Sequence, residues 1–155
     1  MTQIIPYHDP ALETLAEFVA NHLAKIQPDC VKRYITSEIP PPVVDEYPLL
    51  QLQNLSSAGE DLQNCRGSIR YVDINNNMQA GEHGELGLRW IEKAIAQALR
   101  QYQQIQDCEM TLSLGNLQEI KSERRSSPLK SWDGATIATL VWTEIFFDYK
   151  DCSHL

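Results

Sequence analysis

No run of apolar residues in this 155-residue chain approaches the roughly 20 that a bilayer-spanning helix requires. The N-terminal MTQIIPYHDP also lacks the basic-then-apolar layout of a signal peptide, so the expectation is a cytosolic protein with no membrane partner. Positive charge is scarce: 13 Lys and Arg stand against 21 Asp and Glu, a formal net charge of −8. That balance disfavours loose attraction to nucleic acid, so no direct sequence-specific nucleic-acid binding is expected and partner surfaces should be protein. Cys30, Cys65, Cys108 and Cys152 lie some 35 to 44 residues apart, without the close pairs of a zinc ribbon, a redox motif or a dense disulfide framework. Free thiols are expected. There is no Gly-rich phosphate loop, H-E-x-x-H helix or nucleophile elbow, which leaves no catalytic residue, metal or cofactor to name and points away from an enzyme. The length suits a single domain spanning residues 1–155, large enough to bury about 70% of its unfolded surface.

What the chain does have is ATIATLVWTEIFFDY, Ala135 to Tyr149, a run of β-branched and aromatic residues free of Gly and Pro. It reads as one long strand. Alternation puts Ile137, Thr139, Val141, Thr143, Ile145, Phe147 and Tyr149 on one face, and Ala138, Leu140, Trp142, Glu144, Phe146 and Asp148 on the other. Both faces are substantially apolar. Helices should cover one; the other is either closed within the domain or covered by another subunit, which makes Trp142 and Phe146 candidate contact residues.

Upstream, Asp9-Pro10 is a helix start, and Leu12, Leu15, Val19, Leu23 and Ile26 form an apolar stripe that Pro28 ends. His22 borders that stripe as a partly buried helix residue. A short strand, CVKRYI, is expected around Asp29 to Tyr34. SEIPPPVVDEYP follows, extended by Pro40, Pro41, Pro42 and Pro48, and reads either as an arm reaching a neighbour or as a surface loop. LLQLQNL and SIRYVDI (Ser68 to Ile74) are strands, the second with Ile69 and Tyr71 on one side and Val72 and Ile74 on the other. From Leu86 to Gln106, apolar residues recur at three- and four-residue steps and mark the strongest helix. EMTLSLGNLQEI is a strand joined to the long one by Ser122 to Gly134, which is expected to be the charged tip of a hairpin. The order predicts an α+β fold: an antiparallel or mixed sheet of about four to five strands with two main helices on one face.

Few residues suggest chemistry. His83 between Glu82 and Glu85 has the ligand types of a divalent-metal site but the composition of a solvated loop. Glu119-Ile120-Lys121, with Glu109 upstream, matches the short acid-x-Lys element of metal-dependent nucleases, against the plainer reading of a strand end. Arg124, Arg125 and Lys130 cluster in an otherwise acidic chain with Trp132 beside them, a combination enriched at protein interfaces.

The N-terminal helix ending at Pro28, EYPLLQLQ, SIRYVDI, the helix LRWIEKAIAQAL and the terminal LVWTEIFFDY follow the order of the tail terminator proteins of long-tailed phages, a family the chain resembles over most of its length. The resemblance implies a non-enzymatic virion protein that forms a homo-hexameric ring at the head-proximal end of the tail. Its partners would be itself, the tail tube protein, possibly the sheath, and the neck or connector protein. It would pass through the host cytoplasm during assembly. Under it, Pro40, Pro41, Pro42, Arg124, Arg125, Lys130, Trp132, Trp142 and Phe146 become subunit or partner contacts. A head–tail connector of the same particle, a nuclease built on Glu109, Glu119 and Lys121, and a monomeric binding module are the alternatives.

Overall fold

In a computed structural model, which describes residues 10–36, 41–55, 65–74, 85–105, 112–115 and 122–151, the long C-terminal strand is the axis of the fold. The elements run α1 (Pro10–Ile26), β1 (Arg33–Ile35), a 3₁₀ turn (Val44–Glu46), β2 (Leu49–Asn54), β3 (Cys65–Ile74), α2 (Glu85–Ile105), β4 (Leu112–Leu114), β5 (Ser122–Lys130) and β6 (Thr136–Asp151). Among the described residues the sheet is six-stranded and mixed, in the order β1-β2-β3-β6-β4, with β5 also on β6. β1 and β2 are parallel and the remaining pairs antiparallel. This is the α+β class the sequence predicts, with one more strand than expected.

β6 is lined on both edges. β3 occupies one edge over Leu140 to Tyr149; the other is shared by β5 over Thr136 to Ile145 and β4 over Tyr149 to Asp151. Both helices pack on the face bearing Ile145, Phe147 and Tyr149, together with Leu50, Leu52, Ile69 and Tyr71, in the larger apolar cluster. α1 fills it with Leu12, Leu15, Val19 and Leu23, and α2 with Ile91, Ile95, Leu99 and Tyr102, as their periodicity marks, whereas Ile26, at the last position of the α1 stripe, is 45% exposed. The edge of Phe18 meets Tyr102 at 5.2 Å between ring centroids, joining the helices to each other. Gly67, opposite Phe147, belongs to this face: a Cβ there would stand 2.7 Å from Phe147 Cζ, so the aromatic ring occupies space that only glycine leaves open.

The opposite face carries a smaller cluster of Ile35, Tyr47, Leu49, Val72, Ile74, Leu129, Leu140 and Trp142. The second apolar face of β6 is thus closed, at this end, by residues of the same chain. α1 stops at Ile26 and the chain turns through Asp29, whose φ of 63° is a left-handed conformation that Asp tolerates better than most residues. Among the described residues no helix is long and apolar enough to cross a membrane.

Candidate assembly surface

The strand β5 corrects one expectation directly. Ser122 to Lys130 is not a loop at the end of a hairpin but a nine-residue strand in register with β6, so the hairpin is β5–β6 and its tip is confined to Ser131–Ala135. β3 leaves β6 at Leu140, and among the described residues Thr136 to Thr139 pair only with β5. Among the described residues the hairpin therefore runs on past its pairing with β3. Its base is fixed by Leu129, buried against the smaller cluster beside Leu140 and Trp142.

Sequence explains the sharp tip. Ser131 N–H donates to Ala135 O at 2.8 Å and Gly134 N–H to Ser131 O at 3.0 Å, the latter residue pair needing the positive φ of 87° that Gly134 supplies. Asp133 Oδ1 accepts from the Ser131 hydroxyl and, at 3.1 Å, from Ala135 N–H. Those bonds favour the carboxylate and hold the Asp133 pKa below the ordinary range, the Ser131 hydroxyl contributing most and the Ala135 amide next. On this braced turn Trp132 is 87% exposed. The pairing skips a residue between Leu129↔Ala138 and Lys130↔Thr136, a bulge whose extra residue, Ile137, is itself 43% exposed. Two large apolar side chains and Lys130 thus stand in solvent on one element.

The other sequence-predicted contact residues are distributed differently. Arg124, opposite Thr143, lies on the helix side, where its Nε donates to Glu92 Oε1 at 3.2 Å; the buried Thr143 hydroxyl donates to the same oxygen at 2.7 Å. Glu92 therefore ties α2 to β5 and β6 at once. Arg125 projects from the opposite face and pairs with Glu123 on its own strand, Nη2 to Oε2 being 2.7 Å, an exposed ion pair of small energetic weight. Trp142 is buried at 9% exposure, with the Arg70 guanidinium 5.0 Å from its ring centroid, while Arg70 Nε donates to the buried Glu144 carboxylate at 2.7 Å. Phe146, on the same face, is half-buried.

The proline segment lies back on its own sheet. Pro41 and Pro42 are half-buried, the hydroxyl of the buried Tyr47 donates to Pro41 O at 2.9 Å, Lys32 Nζ donates to Asp45 O at 3.0 Å, and Arg33 pairs with Glu46. What this segment does expose is the pair Val43 and Val44, at 49% and 42%. Pro40 lies outside the described residues, as do His83, Glu82, Glu109, Glu119, Lys121, Cys108 and Cys152. Cys30 and Cys65 are buried, and burial raises the Cys30 thiol pKa, which suits a packing role for Cys30 over a reactive one.

Arg70, Glu144, Glu92 and Asp133 carry the polar architecture here, and the sequence reading singled out none of them. Only the tip had a local signal: Ser-Trp-Asp-Gly holds the side-chain acceptor and the glycine of a tight turn. No protein-family model matches the chain, and no curated protein matches it significantly.

Proposed function

We propose that this chain is the subunit of a ring that caps the head-proximal end of a phage tail, halts polymerisation of the tail tube and docks to the neck. The observation that carries the assembly part of this reading is Trp132, 87% exposed on a hairpin that runs on past its pairing with β3 and is braced at its tip. A large aromatic held out in water gains nothing for the fold; on a preorganised element it loses little entropy on docking and buries a large area when a partner covers it. The order of elements along the sequence supports the tail-terminator part. A ring built from one kind of subunit needs no catalytic residue, metal or cofactor.

The test is growth of tail tubes from purified tube protein with and without this chain, read as tube length by electron microscopy. Capping predicts growth arrest with a ring at one tube end. Uninterrupted growth, with the chain bound instead to the neck component, would replace this reading with that of a connector.

A further inference from the structure

The exposed apolar residues of this protein include two groups that adjoin different strands of the sheet. One is the β5–β6 tip, with Trp132 and Ile137 next to Lys130; the other is the turn before β2, with Val43 and Val44 next to the exposed Asp45. β5 and β2, the strands the two groups adjoin, are separated by β6 and β3, so about 14 Å of sheet lies between them. Both groups nevertheless sit at the same end of the strands. The β2 N-terminus pairs at Leu49↔Val72, Val72 pairs with Trp142, and the hairpin tip and the Val43–Asp45 turn both lie beyond that row in the same direction.

We propose that these groups are the two halves of one contact between copies of this chain: the hairpin tip of one copy seats Trp132 and Ile137 on Val43 and Val44 of the next, with Lys130 facing Asp45. This deepens the ring reading and rests on it. The pairing sets apolar against apolar and the Lys130 ammonium against the Asp45 carboxylate, while Asp133, the other charge at the tip, is engaged by the Ser131 hydroxyl and the Ala135 amide. The halves are different surfaces, so in the proposed contact each copy leaves one half free for the next, and such a heterologous contact generates a ring when its rotation closes. Both halves are also braced in the free subunit: the tip by Asp133, the turn by the Tyr47 hydroxyl on Pro41 and by Lys32 on Asp45 O. Little ordering is needed on contact.

Two variants and their mixture test it, with masses measured by light scattering, alone and with tail-tube protein, and folding followed by circular dichroism. Trp132→Ala leaves the turn intact, and the double variant Val43→Ser, Val44→Ser leaves the tip intact. Each alone should stay monomeric under conditions where the wild type assembles, and an equimolar mixture should stop at dimers, because each pair can make one contact and no more. Lys130→Asp should weaken assembly about tenfold at low salt, and Asp45→Lys in the same chain should restore it. Rings formed by either apolar variant at wild-type concentration overturn this contact and leave the ring reading standing on other surfaces, as does a Trp132→Ala ring that has lost only its tube or neck binding. A wild type that stays monomeric in every mixture removes the contact and the ring together.

Discussion

At Gly67 a single hydrogen decides the packing, since a methyl group there would stand 2.7 Å from Phe147 Cζ in a core with no slack. Gly67→Ala should cost about 1–3 kcal/mol, measured by urea denaturation. A variant as stable as the wild type would mean that the Phe147 ring moves aside freely. Tyr47 and Tyr71 set a second residue-scale limit. Burial, the dominant cause, raises both hydroxyl pKa values well above the ordinary tyrosine range, with lesser contributions from Glu46 at Tyr47 and from Asp73 and then Cys30 at Tyr71. A group protonated in the fold and ionised in the unfolded chain contributes stability that is complete below the unfolded pKa, so stability should fall as pH rises past about 10. Tyr71→Phe should lessen that alkaline loss while giving up the hydrogen bond to Cys30 O. Asp133 has the opposite sign. Its depressed pKa makes the brace complete above the ordinary carboxylate range and lost as pH falls through the folded value. The carboxyl carbon shift in NMR should titrate below that range and move back towards it in Ser131→Ala.

Among the elements, the β5–β6 hairpin and its clasp to α2 separate stability from assembly. Glu92 accepts from the buried Thr143 hydroxyl and from Arg124, so Glu92→Ala strands a buried donor and should cost about 1–3 kcal/mol. Trp132→Ala, at a side chain 87% exposed, should change stability by no more than about 0.5 kcal/mol, and thermal denaturation of the two variants makes the comparison. The sequence made the helices and central strands legible because their signals are periodic. Leu12, Leu15, Val19 and Leu23 are buried as their spacing implies, and Ile69 and Tyr71 face one cluster while Val72 and Ile74 face the other. β5 was not legible. SERRSSPLK has one buried apolar side chain, Leu129, a proline and three cations, the composition of a loop and equally that of a sheet-edge strand that deters indiscriminate pairing. Its strand state is imposed by β6, whose outer edge would otherwise be bare. The Arg70–Glu144 pair was hidden for a related reason: the partners are 74 residues apart, and only the β3–β6 register sets them side by side.

At the scale of the described molecule, the two helices cover one face of β6 and residues of the smaller cluster cover the other at its Leu140–Trp142 end. Trp142, one of the expected contact residues, accordingly lies in the core, Trp132 is exposed at the hairpin tip, and the proline segment exposes Val43 and Val44 where a projecting proline arm was one expectation. The proposed ring requires a component that folds before it assembles and assembles without refolding, and a chain that closes its own core and carries its exposed apolar side chains on braced turns meets that requirement. The most direct test is the solution mass of the purified protein by light scattering across a concentration series, alone and with tail-tube protein. A hexamer-sized species, formed spontaneously or on addition of the tube protein, is the predicted result. A monomer at every concentration and with every tail component would contradict the account.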